Sequence, residues 1–245
     1  MCNKIEKSPF NTKIYIFNET NSTQIKMKRM VESNEINEFD IVWAINQKSG
    51  IGRSNNRWFS SSGSLTFSIC ISESYVNKII KASTEINLNN ISKIHELALN
   101  TICDILNRKY SVKSFVKWPN DIYLKTSKIC GILIDKYSDL LIIGVGINLN
   151  EDKIMNYDTI FGISGVQIDP KEFLKHFLSC FVNSNFPKKS YYEMSSYLYW
   201  QNEMLKVVDF NPLEIHCENS SGKRFCFGMD NFSYSYLSKS IHKKL

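Results

Sequence analysis

The chain has 245 residues, enough to bury a substantial core in one full domain with room for a small appendage. Its 43% of apolar and 22% of charged residues are ordinary for a globular protein and argue against disorder as the dominant state. The formal net charge of +6 is modest and spread along the chain. It permits an anionic ligand but does not indicate nucleic-acid binding, because no dense basic stripe is present.

The cysteines and the amino-terminal residues indicate a compartment. The seven cysteines form an odd set with no Cys-x-x-Cys pair, and most lie in apolar stretches. This pattern favours buried free thiols in a reducing compartment over disulfides or metal ligands. The first residues lack the apolar core of a signal peptide, and no segment approaches the ~20 apolar residues of a membrane span. We therefore expect a cytoplasmic protein with no membrane partner.

The first predicted elements are a strand at 13–20 and a short helix after it, which Asn21 or Ser22 could cap. Residues 40–47 form a continuous apolar run, which is typical of a strand covered on both faces. Residues 64–72 alternate strictly between apolar and small, mostly polar side chains. This alternation predicts an antiparallel strand with one buried face.

Helical spacing of apolar residues predicts a helix over 92–109, with Ser92 as its cap. Three strand candidates separated by short turns follow, and they predict a meander: "SFVKW", "KICGILID" and "LLIIGVGINLN". A later helix has Asp169 as its cap and Pro170 at its first position. Its predicted buried stripe consists of Phe173, Leu174, Phe177, Leu178 and Phe181.

From about residue 204 the pattern changes to short alternating strands with a Ser-Ser-Gly turn at 220–222. A segment of about forty residues buries little surface alone, so this β module, residues 204–245, should pack on the main domain, residues 1–203. Helices and antiparallel strands are partly segregated along the chain. The sequence therefore predicts an α+β architecture rather than a doubly wound parallel sheet.

The first candidate site is the long loop "NQKSGIGRSNNRWFSSSG", which contains Gly50, Gly52 and Arg53. Glycines let main-chain N–H groups approach an anion, and an arginine can add a bidentate contact to phosphate. A G-x-G pair alone is commonly just a turn, so phosphate binding and a plain turn are equally open on these residues. Trp58 could stack on an adenine ring or anchor the loop in the core, and the core interpretation is favoured without further context.

The second candidate is "KWPNDIYLKTSKICGILID", in which Lys117 and Lys128 flank a possible hairpin. Both ammonium groups could converge on one anion. Asp121 beside them could pair with a lysine, hold a metal or accept a proton. A solvated hairpin with an Asn-Asp turn would explain Asn120 and Asp121, but it leaves both lysines and the tryptophan unexplained.

The third candidate is "IIGVGINLN", in which Gly144 and Gly146 interrupt an apolar strand. A glycine inside a strand indicates a bulge or the close approach of a ligand or another backbone. Asn148 lies where the strand ends, so its amide could contact a base edge. Packing explains the same residues equally well.

Several common sites are not predicted. The histidines, His95, His176, His216 and His242, are scattered without a partner at ligand spacing, so we expect no zinc site. The sequence has no Walker A motif and no G-x-S-x-G motif. Nucleophilic catalysis by a cysteine or serine therefore has no support beyond the presence of those residues.

In order along the chain, "ETNSTQ", "GIGRSNNRWFS", "KWPNDIYL" with a lysine seven residues after Asp121, and "GVGINLN" resemble the biotin protein ligase family. The resemblance runs from about Glu19 to Asn150 and decreases beyond. The K-W-P-N-D run between the two glycine motifs is its most specific part. The implied fold is a mixed or antiparallel central sheet with flanking helices, as in class II synthetases, with a small SH3-like C-terminal β module.

The resemblance implies an enzyme that joins biotin and ATP, with Mg²⁺, into biotinyl-5′-adenylate. The biotinyl group then passes to one lysine of a biotin carboxyl carrier domain of a biotin-dependent carboxylase. The implied type is monofunctional, since the short amino terminus leaves no room for a winged-helix domain, and no DNA partner is expected. A monomer or a homodimer is compatible with the resemblance. The chemistry needs positioning and charge cancellation rather than a covalent enzyme intermediate.

The resemblance also implies roles for individual residues. Lys128 would contact both the biotin carboxyl and the α-phosphate, Arg53 and Lys117 would add positive charge, and Asp121 would orient or deprotonate the acceptor lysine. No dedicated metal site in the protein is implied. The implied biotin contacts are Ser22, Thr23, Gln24, Gln47, Gly50, Ile51, Gly52, Arg53, Lys128, Gly131 and Gly144. The implied ATP or adenylate contacts are Arg53, Trp58, Lys117, Asn120 and Asn148, with the two asparagines serving nucleotide and metal-shell contacts.

Three departures from the family pattern qualify these roles. Ile51 lies where arginine is frequent, Asn55 and Asn56 lie where Gly-Arg or Gly-Asn is frequent, and Gln24 replaces an asparagine. We expect a working enzyme with a looser loop. Two alternatives stay open: a lipoate or octanoate ligase of the same fold, and a noncatalytic biotin- or carrier-binding module.

Overall fold

The computed structural model describes residues 2–53, 56–81 and 90–244, so Asn55 lies outside the described residues. An eight-stranded sheet forms the centre of the molecule, and a six-stranded sheet follows near the C-terminal end. Helices pack against the central sheet. This arrangement confirms the predicted α+β class.

The helices are α1 (Thr23–Glu32), α2 (Glu73–Lys81), α3 (Asn90–Asp104), α4 (Ile160–Ser164) and α5 (Pro170–Val182), and α3 continues into a π-helical turn at Ile105–Lys109. The first ten strands are β1 (Lys4–Lys7), β2 (Lys13–Thr20), β3 (Ile41–Gln47), β4 (Gly50–Ile51), β5 (Arg57–Trp58), β6 (Ser64–Ser72), β7 (Ser114–Lys117), β8 (Asp121–Leu124), β9 (Ser127–Tyr137) and β10 (Leu140–Asn148). The remaining strands are β11 (Lys153–Ile154), β12 (Tyr157–Asp158), β13 (Tyr197–Trp200), β14 (Glu203–Phe210), β15 (Glu214–Glu218), β16 (Arg224–Gly228), β17 (Phe232–Ser235) and β18 (Ser240–Lys243).

The central sheet has the strand order β1-β2-β3-β6-β10-β9-β8-β7. Strands β2 and β3 are parallel because α1 connects them, and the other neighbours are antiparallel. The predicted meander is therefore present as β7 to β10, and the K-W-P-N-D run forms the turn between β7 and β8. The Trp118–Pro119 peptide bond in this turn is cis.

Both faces of the central sheet are covered. On one face α3 and α5 bury a large apolar cluster, to which Phe67, Ile143 and Phe177 belong. On the other face α1 packs Met27 and Met30 against the sheet. The expectation of one buried face for β6 is wrong, since its residues from Ser64 to Ile71 are all buried. Its polar side chains have partners inside the protein, which compensates for the loss of water: the Ser68 hydroxyl bonds to α1, and the Thr66 hydroxyl donates to the Ala44 carbonyl on β3.

The predicted helix starts have different outcomes. Asp169 caps α5, because its Oδ1 accepts from the N–H groups of Lys171 and Glu172. The predicted buried stripe of this helix is confirmed. Ser22 occupies the cap position of α1, but its side chain makes no capping bond there. The prediction for Ser92 is wrong, because α3 begins at Asn90 and Ser92 lies inside it.

In the part of the chain that the structure describes, no helix is long and apolar enough to cross a membrane. The longest α-helix there, α3, has 15 residues.

The C-terminal sheet has the strand order β16-β15-β14-β13-β18-β17 and begins with Tyr197–Trp200. The boundary at residue 204 stays a prediction, although the sheet itself includes this earlier strand. Its core is closed by Trp118, which comes from the turn of the central sheet. Trp118 is 1% exposed and packs with seven buried residues of the second sheet: Leu198, Leu205, Ile215, Cys217, Phe227, Tyr234 and Ile241.

Trp118 thus joins the two sheets, and its indole Nε1 donates to the carbonyl oxygen of Asn211 at 2.9 Å. We predict that Trp118→Ala lowers the free energy of unfolding by about 3–5 kcal/mol, because it removes a fully buried ring and leaves a cavity. Urea unfolding followed by far-ultraviolet circular dichroism measures this change. Tyr199→Ala is the control, since Tyr199 is 41% exposed. Equal effects of the two substitutions would contradict the role of Trp118.

Candidate active site

A cavity that is partly open to solvent, with about 470 Å³ of empty space, lies on the face of the central sheet that carries α1. Its walls come from the start of α1, the end of β3, the glycine loop, the β7–β8 turn, β9 and β10. The lining residues are Ser22, Thr23, Gln24, Gln47, Ile51, Gly52, Arg53, Trp58, Asn120, Lys128, Gly131, Ile132, Leu133, Gly144, Val145 and Gly146. Segments more than a hundred positions apart therefore meet at one cavity.

The floor of the cavity is made of glycines. Gly131 on β9 and Gly146 on β10 are direct cross-strand partners. A Cβ atom on Gly146 would lie 2.4 Å from Cε2 of Trp58, and one on Gly131 would lie 3.1 Å from Cζ3 of the same ring. The Trp58 ring therefore packs flat on bare backbone. Its Nε1 is buried against Gly146 and has no hydrogen-bond partner within the described ranges.

The glycine loop is a short hairpin of β4 and β5, in which Gly50 pairs with Trp58. A Cβ on Gly50 would lie 2.5 Å from the Trp58 carbonyl oxygen, so only glycine allows this pairing. Gly50 itself does not line the cavity but fixes the position of Trp58. The core interpretation of Trp58 and its ligand interpretation are compatible, because the ring packs on the sheet and also lines the cavity.

A polar network closes one end of the cavity. Gln24 is 2% exposed, and its amide group donates to the Ile142 carbonyl at 3.0 Å and to Asp135 at 3.1 Å. The Ser68 hydroxyl lies 3.0 Å from both Gln24 Oε1 and Thr23 Oγ1. Gln24 is therefore held by the protein, and the longer side chain at this position extends over Gly144, where a Cβ would lie 2.5 Å from its Oε1.

Lys128 reaches the cavity because of a β-bulge. Strand β9 pairs Cys130 with Ile122 and Lys128 with Tyr123, so Ile129 has no opposite residue on β8. Both Ile129 and Cys130 are fully buried in the core on the α3 side. In a regular strand Lys128 would face that core, since side chains alternate. The extra residue turns Lys128 to the cavity, which is a common use of bulges near functional sites.

Three charged groups stand at the edge of the cavity. Lys128 Nζ lies 2.7 Å from Oδ1 of Asp121 and 5.7 Å from the centre of the Trp58 ring. Lys117 is the cross-strand partner of Asp121. Burial lowers the pKa of Lys117, Asp121 raises it, and the positive charge of Lys128 lowers it. Asp121 thus pairs with Lys128, and its charge only partly offsets the effect of burial on Lys117, whose pKa stays below its ordinary value.

Arg53 links the glycine loop to two other parts of the chain. Its Nη1 donates to Oδ1 of Asn120 at 3.1 Å, and its Nη2 lies 3.7 Å from Oδ1 of Asp230 in the C-terminal module. The Arg53 side chain is 22% exposed. The guanidinium group is therefore partly solvated at the mouth of the cavity. It can contact an anion there without complete desolvation.

Most of the predicted site residues line this cavity. The exceptions are Gly50, Lys117, Asp121 and Asn148. Of these, Asp121 pairs with Lys128, and the positive charge of Lys128 helps to lower the pKa of Lys117. Asn148 is 4% exposed, donates its Nδ2 to the Asp158 carbonyl at 3.2 Å, and has no partner for Oδ1 among residues 2–53, 56–81 and 90–244.

The sequence motifs missed several residues. Ile132, Leu133 and Val145 line the cavity within strands that read only as apolar, and Gly146 was recognised only as a strand interruption. His95 on α3 is 6% exposed, and its Nε2 has no partner in the described parts of the chain. Burial first and the charge of Arg53 second lower the pKa of His95 to about 4, against a hydrogen bond with the Ile132 backbone. Its proximity to Arg53 depends on tertiary packing, and we see no signal for it in the sequence.

Comparisons with known proteins now decide the family. Residues 16–149 match the biotin/lipoate A/B protein ligase family. The chain belongs to this family. The match covers more than half of the chain. It includes the start of α1, the glycine loop, the K-W-P-N-D run and the glycine strand β10. The resemblance noted in the sequence is therefore confirmed.

Two kinds of relatives support the same family. The chain is 26% identical over 178 residues to the bifunctional ligase/repressor BirA of Bacillus spizizenii, over 68% of this chain and 52% of the relative. The chain thus spans about half the length of the curated relatives it matches. Its fold resembles a biotin protein ligase from Aquifex aeolicus solved with biotin and ATP, with a TM-score of 0.68, 22% identity, and coverage of 94% of this chain and 99% of that chain.

A Leishmania major biotin protein ligase solved with biotinyl-5-AMP has a TM-score of 0.53 and 20% identity, over 88% of this chain and 98% of that chain. At these identities the solved structures show the common fold.

The glycine floor gives a testable prediction. Gly146→Ala should place a Cβ against the Trp58 ring and displace it, which lowers the free energy of unfolding by about 1–3 kcal/mol. Acrylamide quenching of tryptophan fluorescence should increase as the ring becomes exposed. Gly228→Ala is the matched control, because Gly228 is also in a strand and a Cβ there meets nothing within 4 Å. Identical behaviour of the two variants would show that the ring does not pack on the floor.

Proposed function

We propose that this family member is an ATP-dependent biotin protein ligase. The observation that supports it most is the convergence of Lys128 and Arg53 on one glycine-floored cavity, with Lys117 beside it as the cross-strand partner of Asp121. In the proposed reaction a biotin carboxylate oxygen attacks the α-phosphorus of ATP, and pyrophosphate leaves. The amine of a carrier lysine then attacks the carbonyl carbon of biotinyl-5′-adenylate, and AMP leaves.

Positive charge is the main requirement of the first step, because a carboxylate must approach a phosphate. Lys128 lies between the polar end of the cavity and the mouth, so it can contact the carboxylate and the α-phosphate together. Arg53 at the mouth supplies a planar group suited to phosphate oxygens. Lys117, the cross-strand partner of Asp121, adds positive charge beside the cavity. Positioning and charge cancellation require no nucleophilic side chain.

The polar end of the cavity favours biotin over lipoate. Hydrogen-bonding side chains of Ser22, Thr23 and Gln47 line this end beside Gln24. The ureido ring of biotin has two N–H donors and a carbonyl acceptor that these groups can satisfy, whereas the dithiolane ring of lipoate has none. Buried polar groups left without partners are unfavourable, so an apolar ring would bind this end poorly.

The second step needs a group near the mouth that accepts a proton from the carrier lysine. Asp121 is the carboxylate beside Lys128, and its side chain is 19% exposed. We assign it to orient or deprotonate the acceptor amine. The Asp121–Lys128 ion pair loosens when Lys128 turns to the adenylate, which frees the carboxylate for this role.

Magnesium is proposed as the companion of ATP. Mg²⁺ usually takes oxygens from substrate phosphates and from one or two protein groups. Oδ1 of Asn148, which is buried without a partner in the described ranges, fits as such an oxygen donor. Asn148 also lies on the same strand face as Gly146, since side chains alternate along β10. The bound ion would neutralise phosphate charge.

The partners and the setting complete the proposal. The acceptor is a biotin carboxyl carrier domain of a carboxylase, the compartment is the cytoplasm, and residues 1–203 carry the chemistry with 204–245 as a separate β module. The contact of Asp230 with Arg53 supports a role of this module at the cavity mouth.

The deciding experiment offers biotin and lipoate separately, each with MgATP and a carrier domain, and reads the mass of the carrier. We expect a biotinyl mass shift on one lysine and no lipoyl shift. Lipoyl transfer as fast as biotinyl transfer would support the alternative ligase. Biotin-dependent pyrophosphate release would exclude a noncatalytic binding module, and its complete absence would contradict the proposed function.

We predict that Lys128→Ala lowers the rate of adenylate formation by more than about tenfold, because it removes the charge between carboxylate and phosphate. Pyrophosphate release with biotin and ATP measures this rate. Lys136→Ala is the matched control on the same strand, since Lys136 pairs with Glu73 at 2.7 Å and is 54% exposed. Unfolding in urea should be unchanged in both variants. Normal adenylation by Lys128→Ala would contradict the role of Lys128.

Arg53→Gly should act on retention of the intermediate. Without the guanidinium group the loop loses its bonds to Asn120 and Asp230, so biotinyl-5′-adenylate should escape and label lysines of bystander proteins. Biotin blotting of added serum albumin measures this release. Arg57→Gly serves as the control, because Arg57 lies in the same hairpin but bonds to the Lys48 carbonyl. Equal bystander labelling by both variants would show that Arg53 does not retain the adenylate.

A further inference from the structure

A group of potential metal ligands lies on the C-terminal sheet, apart from the cavity. Glu214 and His216 are two positions apart on β15, so both side chains point to the same face. Cys226 on β16 is the direct cross-strand partner of His216. The other face of β15 carries Ile215 and Cys217, which are buried in the core of the module. The three residues therefore project from the outer face of a rigid pair of strands.

The donor atoms of these side chains converge. His216 Nε2 lies 3.1 Å from Oε2 of Glu214. One ligand atom of each residue, including Sγ of Cys226, lies within 4.8 Å of the others. A tetrahedral zinc ion with ligand distances of about 2.0–2.3 Å holds its donors roughly 3.3–3.8 Å apart. The observed separations bracket this range, so small side-chain rotations suffice.

The charges around the group favour a cation. The neighbouring cation on β16, Arg224, pairs with Glu218 at 3.7 Å and not with Glu214. Within the described ranges, His216 is the one basic side chain with an ion-pair contact to Glu214. Metal binding would compensate the carboxylate and stabilise a thiolate at once.

We propose that Glu214, His216 and Cys226 bind one divalent transition ion of the zinc type, with a fourth position open to solvent. The Cys226 thiol releases its proton to water as the metal–sulfur bond forms. Thiolate and imidazole ligands select zinc or cobalt, whereas Mg²⁺ takes oxygen ligands. This site is therefore chemically distinct from the magnesium that accompanies ATP.

The proposal differs from our expectation that no zinc site is present. The ligands are separated by two and by ten positions, which is not a known zinc spacing, and His216 reads as an isolated histidine in the sequence. Only the register of β15 and β16 brings Cys226 opposite His216.

The test titrates Co²⁺ into the reduced full chain without biotin or ATP. We expect one equivalent to bind and a thiolate-to-cobalt charge-transfer absorption to appear. Zinc should abolish this absorption by displacement, and competition with a chromophoric chelator gives its affinity. Cys226→Ser and His216→Gln should each weaken zinc binding by about 100-fold or more, because each removes a direct ligand.

Cys180→Ser is the matched control, since Cys180 is a half-buried free thiol on α5 and belongs to no ligand group found among the described residues. It should bind cobalt and zinc like the unchanged chain. All substituted ligands lie on the outer face of the sheet, so circular dichroism should show an intact fold. Absence of saturable binding of one equivalent would leave a histidine–carboxylate ion pair only and overturn the proposal. Cobalt absorption that persists in Cys226→Ser would do the same.

Discussion

The absence of side chains at Gly131 and Gly146 is the constraint on which the candidate active site depends. The two glycines are paired across β9 and β10, in the middle of the central sheet, so the cavity floor is backbone held by hydrogen bonds on both sides. Trp58 lies on this floor, and Lys128 lies over its ring. A larger side chain at either glycine would displace the Trp58 ring and then fill the space that a ligand needs. The same two glycines thus give the cavity a rigid floor and the open space above it.

The C-terminal module packs against the central domain and contacts the mouth of the candidate site. Trp118 anchors the β7–β8 turn in the core of the second sheet, while the next residues of the same turn carry Asn120 and Asp121 to the cavity. Asp230 of the module contacts Arg53 from the other side. The K-W-P-N-D run therefore serves two purposes. Trp118 fixes the turn, whereas Lys117, Asn120 and Asp121 present charge and an amide. A solvated turn would need none of this.

The sequence predicted the site better than it predicted the packing around it. The family resemblance implied one shared site for Arg53, Lys128 and Gly144, and all three line the cavity. Local patterns failed where tertiary contacts decide. The polar face of β6 reads as solvent-exposed, yet Thr23 and Gln24 of α1 hydrogen-bond to Ser68 and bury it. The bulge at Ile129, which turns Lys128 to the cavity, depends on strand register and leaves no pattern in the sequence.

Electrostatics connects the free enzyme to the proposed reaction. In the free protein Asp121 pairs with Lys128, and its charge also opposes the effect of burial on the pKa of Lys117. In the proposed reaction, a bound anion gives Lys117 and Lys128 a second negatively charged partner in place of water. In the reaction that we propose, Lys128 then contacts the ligand, and Asp121 is released beside the position that an acceptor amine must take. Under this proposal the carboxylate pairs with Lys128 before the ligand binds and becomes available for proton transfer only after the adenylate is in place, which would order the two half-reactions.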